Sequence, residues 1–136
     1  MVAGYSGTSL VKKLGIQDGQ RVAFINEPDT FRPLLVGLPA GGIDIKTSAR
    51  GKSDLTVAFF TDRSQFERRI GPLEKSIFPN GALWVAWPKR ASKVPTDVTE
   101  DVVREVVLPR GLVDVKVCAI DETWSGLKVV WRKEMR

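Results

Sequence analysis

Residues 81–89, Gly81-Ala82-Leu83-Trp84-Val85-Ala86-Trp87-Pro88-Lys89, hold six apolar side chains in an unbroken run between a Pro79-Asn80-Gly81 turn and a proline. The run is too short for a free-standing helix and has no polar face. It reads as a parallel strand covered on both sides. Working outward, Arg21 to Asn26 (with Val22-Ala23-Phe24-Ile25 inside) and Leu55 to Phe60 have the same character, and Ile43 to Lys46 is a briefer strand between them. Phe66, Ile70, Leu73 and Ile77 recur at helical spacing before the turn, with Gly71-Pro72 expected to kink or break that helix.

Upstream, Thr8 is expected to cap a short helix whose apolar face is Leu10, Val11 and Leu14, closed by Gly15. Pro28 and Pro33 bracket a short helical segment that ends near Gly37. Downstream, a polar loop from Pro88 to Val98 leads to a helix reaching about Leu108. Asp97 or Thr99 could cap it. Thr99 is preferred, because that register sets Val98 against Val103 and puts Glu100 and Asp101 at the positive end. Val113 to Ile120 then forms a fifth strand. Leu127 to Arg132 forms a sixth, which carries Lys128 and is expected at or near an edge.

Apolar strands alternating with helices imply a parallel sheet with helices on both faces. The last two strands are joined by too few residues for a crossover, so the sixth runs antiparallel to the fifth. The expected architecture is α/β: a Rossmann-like three-layer sandwich with a mostly parallel six-stranded sheet in the order 3-2-1-4-5-6. It forms a single domain over residues 1–136, with 1–7 a flexible N-terminal segment.

Leu14-Gly15-Ile16-Gln17-Asp18-Gly19-Gln20-Arg21-Val22 resembles the lead-in to the first strand of S-adenosylmethionine-dependent methyltransferases, and Phe78-Pro79-Asn80-Gly81-Ala82-Leu83 resembles their entry to the fourth. These are fold signals shared by many activities. The family's cofactor signals are missing. The first strand exits through Asn26-Glu27-Pro28-Asp29-Thr30-Phe31, with no glycine until Gly37, whereas a nucleotide cofactor needs bare backbone amides there. The second strand ends Ile45-Lys46-Thr47 where an acid should meet the ribose, and Asp44 lies too early. The reading therefore assigns no cofactor and no conventional S-adenosylmethionine or nicotinamide site. A second resemblance rests on Gly4-Tyr5-Ser6-Gly7-Thr8, Leu83-Trp84-Val85-Ala86-Trp87-Pro88-Lys89, Thr96-Asp97-Val98-Thr99-Glu100 and Thr123-Trp124-Ser125-Gly126-Leu127. Those segments are similar to a small bacterial family of unknown function, which implies no reaction, cofactor or partner.

The chain has no histidine and one cysteine. That removes the commonest general base, the Ser-His and Cys-His nucleophile pairs and the zinc spacings. Asp121-Glu122 is too small a set for a hard-cation shell, so no metal is expected. Cys118, between Val117 and Ala119, is expected to be buried and inert. The absence of a long apolar run or leader pattern points to a cytoplasmic protein that does not contact the membrane. The net charge of +5 favours anionic partners, but the basic residues are scattered and argue against nucleic acid.

Ligands of open parallel sheets sit beyond the carboxyl ends of the strands, where the strand order reverses. In the expected order, Asn26 and Glu27 face Trp87, Lys89, Arg90 and Lys93 across that crevice, with Asp97, Trp124 and Ser125 on the same rim. The pocket so formed would clamp a flat or anionic small molecule between Trp87 and Trp124, with the lysines supplying charge and Asp97 available as a base. The competing and plainer expectation is that both tryptophans are rim packing over the sheet end, the lysines a solvated loop and Asp97 a loop carboxylate bonding backbone amides. The expected function is a non-catalytic ligand- or protein-binding domain. The alternatives are a divergent S-adenosylmethionine-dependent methyltransferase and a weak polyanion binder. A homodimer through the terminal strand is a further expectation.

Overall fold

A computed structural model describes residues 8–136, so the expected flexible segment 1–7 lies outside the described residues. Helix α1 (Leu10–Leu14) is capped by Ser9, one residue later than expected. The Ser9 hydroxyl accepts from the Lys12 amide at 3.2 Å, which is the third helical position a cap reaches. The chain continues through β1 (Arg21–Ile25), a 3-10 turn (Arg32–Leu34), β2 (Asp44–Lys46), β3 (Leu55–Phe59) and α2 (Arg63–Ile77). It ends with β4 (Ala82–Pro88), α3 (Glu100–Val107), β5 (Leu112–Ala119) and β6 (Trp124–Trp131).

The six strands form one sheet in the order β2-β1-β3-β4-β6-β5. β1 pairs in parallel with β2 and β3, and β3 with β4, while β6 runs antiparallel to both β4 and β5. The class is the expected one, but the order 3-2-1-4-5-6 is not what forms. Burial gives the reason. All five residues of β3 are buried, which requires a strand on each side, whereas the three-residue β2 buries none of its residues and suits an edge. Likewise β6 buries Leu127, Val129 and Trp131, while β5 exposes Val115 and Val117. The strand carrying Lys128 is therefore interior and cannot extend the sheet into a second copy, because β2 and β5 hold the edges.

The interior strands are almost wholly apolar because both faces are covered, with Thr56 of β3 a buried exception. On one face, Ala23, Ala58, Leu83, Val85 and Leu127 pack under α2 and α3; on the other, Val22, Phe24, Val57, Phe59 and Trp84 pack under α1 and Phe31. Trp84 is wholly buried, and its indole nitrogen donates to the Leu14 carbonyl at 2.9 Å, so the polar atom of the central strand is satisfied by the end of α1. α2 is assigned as a single helix with Pro72 inside it, so the expected break does not occur. A mid-helix proline costs ~3 kcal/mol. Phe66, Ile70, Leu73 and Ile77 are all buried on both sides of it, and that packing offsets the lost bond. At the entry to β4, a Cβ on Gly81 would lie 2.8 Å from the Ser53 carbonyl and 2.9 Å from that of Ile77, so only glycine lets the strand start there.

Thr99 caps α3 as expected, accepting from the Val102 amide at 3.1 Å, with Val98 and Val103 fully buried beneath it. Among the described residues, no helix is long and apolar enough to cross a membrane, and no group of three or more His, Cys, Asp and Glu could hold a metal ion.

Candidate functional site

The chain leaves β1 toward β2 on one side and returns as β3 on the other, so the strand order reverses between β1 and β3. β3 separates Asn26 and Glu27 from β4, and the rim expected from the sequence divides into two regions.

The first lies at the ends of β4 and β6. Trp87 pairs with Ser125, and Pro88 with Trp124. Directly opposed residues share a face and neighbours alternate, so Trp87 and Ser125 lie on the α2/α3 side and Trp124 on the α1 side. Trp124 stands edge-on to Phe59 at 5.1 Å, whereas Trp87 belongs to the opposite core layer. The sheet stands between the two indoles, and the expected clamp does not form.

The Lys89 ammonium donates to the Asp121 carbonyl, and its amide to the Thr123 carbonyl, both at 2.7 Å. The Asp121 carboxylate accepts from the amides of Thr123 and Trp124 at 2.8 and 2.7 Å. Lys89 and Asp121 thus build the turn that carries Trp124. Asp97 is not free either: its Oδ1 accepts from the Arg63 amide at 2.7 Å, the first residue of α2. Asp62 caps the same helix through the Ser64 amide, and the Ser64 hydroxyl and amide hold its carboxyl below the usual carboxylate range. Thr96 donates to the Thr61 carbonyl at 2.7 Å, fastening the 95–99 loop to the end of β3.

Lys93 has a left-handed backbone with φ +63°, which a non-glycine residue adopts at a cost. With Trp87, Arg90, Thr96 and Val98 it lines a concavity of about 440 Å³. The lining contains two cations and no carboxylate. Arg90 belongs to the rim expected from the sequence, and Thr96 completes the surface. The sequence signal for Thr96 was its place after Pro95 ahead of a helix cap, where hydroxyls fasten loops.

The second region is the reversal point. Asn26 takes φ +56°, the conformation usually left to glycine, and its side-chain amide donates across to the Phe59 carbonyl at 3.3 Å. Glu27 forms a two-pronged pair with Arg32 at 2.7 and 3.0 Å. Phe31 is buried edge-on between Phe24 at 5.0 Å and Phe59 at 4.9 Å. At the end of β2, the Lys46 ammonium is held by the carbonyls of Arg50 and Lys52. Asp44 pairs with Arg21 at the opposite end of the sheet. Cys118 is half-buried rather than buried, because β5 is an edge strand, and burial pushes its thiol up.

No known protein-family profile matches the chain, and no curated protein matches it in sequence. Solved structures do. Magnesium protoporphyrin IX methyltransferase from Synechocystis PCC 6803 with bound SAH superposes with a TM-score of 0.59 at 14% identity, covering 90% of this chain and 78% of that one. A SAM-dependent methyltransferase from Aquifex aeolicus gives a TM-score of 0.61 at 14% identity, covering 88% and 86%. The fibrillarin pre-rRNA processing protein of Methanococcus jannaschii gives 0.52 at 13%, covering 85% and 68%. The chain has the methyltransferase-like Rossmann fold. Identities this low carry the fold alone.

Proposed function

We propose that this chain is a divergent methyltransferase-fold domain that binds a small anionic molecule beside the end of β4. The observation that carries the reading is the concavity lined by Trp87, Arg90, Lys93 and Thr96, where two cations meet an apolar wall with no acid among them. Lys93 is held there in a backbone conformation that costs about 1–2 kcal/mol in a non-glycine residue, and such strain gathers at working sites.

The structural neighbours make S-adenosylmethionine the cofactor to consider. Its fit can be judged at the β1–β3 crevice. A nucleotide cofactor needs exposed amides after β1, room for the adenosyl group and an acid at the end of β2. Here the Asn26 side chain spans the crevice, Phe31 is packed into the layer below, and Lys46 stands where the acid belongs. These residues do not fit the cofactor in its usual place.

A second reading, methyl transfer with S-adenosylmethionine held in a non-standard way, is favoured by the structural neighbours, which support it better than a domain without catalytic activity. Calorimetry separates the two. The first reading expects phosphate or an aromatic carboxylate to bind the parent chain, and Lys93→Ala to bind it about tenfold more weakly. S-adenosylmethionine should give no heat. Saturable binding of S-adenosylmethionine or its demethylated product, unchanged in Lys93→Ala, would transfer the assignment to the second reading.

A further inference from the structure

The α1 face of the two C-terminal strands carries charge that takes no part in either rim region. Lys116 of β5 stands directly opposite Lys128 of β6, and Lys128 also pairs in register with Trp84 of β4. Opposed residues share a face, and Trp84 reaches Leu14 of α1, so both ammonium groups project on the α1 side. Like charges placed opposite each other on neighbouring strands destabilise a sheet. Lys13 of α1 adds a third positive charge, close enough to act on the Cys118 thiol beside them. Among the described residues none of the three lysines forms a salt bridge. Asp114, two residues from Lys116, is committed to Arg104 at 3.0 Å on the other face.

Between these lysines the floor is apolar and only partly covered. Val130, Cys118 and Leu10 are half-buried against the α1-side core. The Lys128 ammonium loses part of its hydration there and its pKa falls, with Lys116 adding to the effect. A phosphate backbone would want an extended, wet stripe of cations, whereas three lysines around an apolar floor match a partner that has both acid and hydrocarbon.

We infer that the β5–β6 face over Lys13, Lys116 and Lys128 is a docking surface for an acidic amphipathic peptide segment of a partner protein. Its carboxylates separate the two opposed ammonium groups and its apolar side chains cover Val130 and Cys118. This surface lies on the other side of the sheet from the Lys93 concavity and stands or falls independently of it.

Fluorescence anisotropy with a labelled helical peptide of glutamate and leucine, at low salt, tests the assignment. The expected result is saturable binding by the parent chain and by Lys93→Ala, with roughly tenfold weaker binding by Lys116→Glu. Lys128→Met keeps the aliphatic stem packed and should also weaken binding, which guards against misfolding of the charge-reversed chain. Poly-glutamate, which lacks hydrocarbon, should bind less well than the mixed peptide. Absence of saturable binding, equal binding by parent and both variants, or tighter binding of a single-stranded oligonucleotide would each overturn the proposal.

Discussion

The two ends of the rim, one after β1 and one after β4, are built from the same kind of element and have opposite characters. After β1 the chain is closed: Asn26 reaches to Phe59, Glu27 grips Arg32, and Phe31 completes an edge-on aromatic series with Phe24 and Phe59. After β4 the chain stays open: the loop fastens itself at Thr96 and Asp97 but leaves Arg90 and Lys93 exposed above Trp87. Side-chain bonds decide the difference. At the first place they span the sheet's reversal point, and at the second they tie the loop down from behind. A fold can thus keep its strands while moving its accessible site along the rim.

The sharpest way to break this contrast is Phe31→Ala. Removing a wholly buried ring from the closed end should cost about 3–5 kcal/mol, read by urea denaturation. A loss below about 1 kcal/mol would mean that the crevice is not packed shut.

Asp97→Ala should cost less, about 0.5–1.5 kcal/mol, since it strips a solvent-accessible hydrogen bond from the first amide of α2. Anion binding at Lys93 should survive at reduced temperature. If Asp97→Ala leaves stability unchanged and alters only ligand affinity, the carboxylate belongs to the ligand and not to the loop.

Lys93→Gly sharpens the comparison from the open side. Relief of the left-handed backbone should raise stability by about 1 kcal/mol while anion binding falls, a trade that packing alone would not produce. Melting temperature and calorimetry on one sample read both.

The smallest effect is a pH slope at Lys128. Its folded pKa is depressed by burial and by Lys116, so the folded chain releases its proton at lower pH than the unfolded chain. Between the two values the unfolded state holds more protons, and stability rises with pH through that alkaline window. Lys128→Met should flatten the rise and raise stability below it by a few tenths of a kcal/mol.

The local reading succeeded where one segment fixes its own answer. Thr99 caps α3 because only its register brings Val98 under Val103, and Gly81 must be glycine because three backbone carbonyls crowd its missing Cβ. It failed where the answer depends on which strand lies beside which. The clamp between Trp87 and Trp124 looked plausible because both end their segments near the same rim. Pairing of Trp87 with Ser125 puts the two indoles on opposite faces. Asp97 does bond a backbone amide, as expected of a loop carboxylate, but the amide is that of Arg63 on another element and not one of its own loop.

Apolar periodicity, turn residues and caps, present in the sequence itself, determined that this chain alternates strands and helices, that its interior strands are covered on both faces, and that the exit from β1 offers side chains instead of glycines. Only the tertiary structure decided the neighbours of each strand, the face of each tryptophan and the opposition of Lys116 to Lys128. Hydrogen-bond partners across a sheet are chosen by burial summed over the whole layer, and no window of sequence contains that sum.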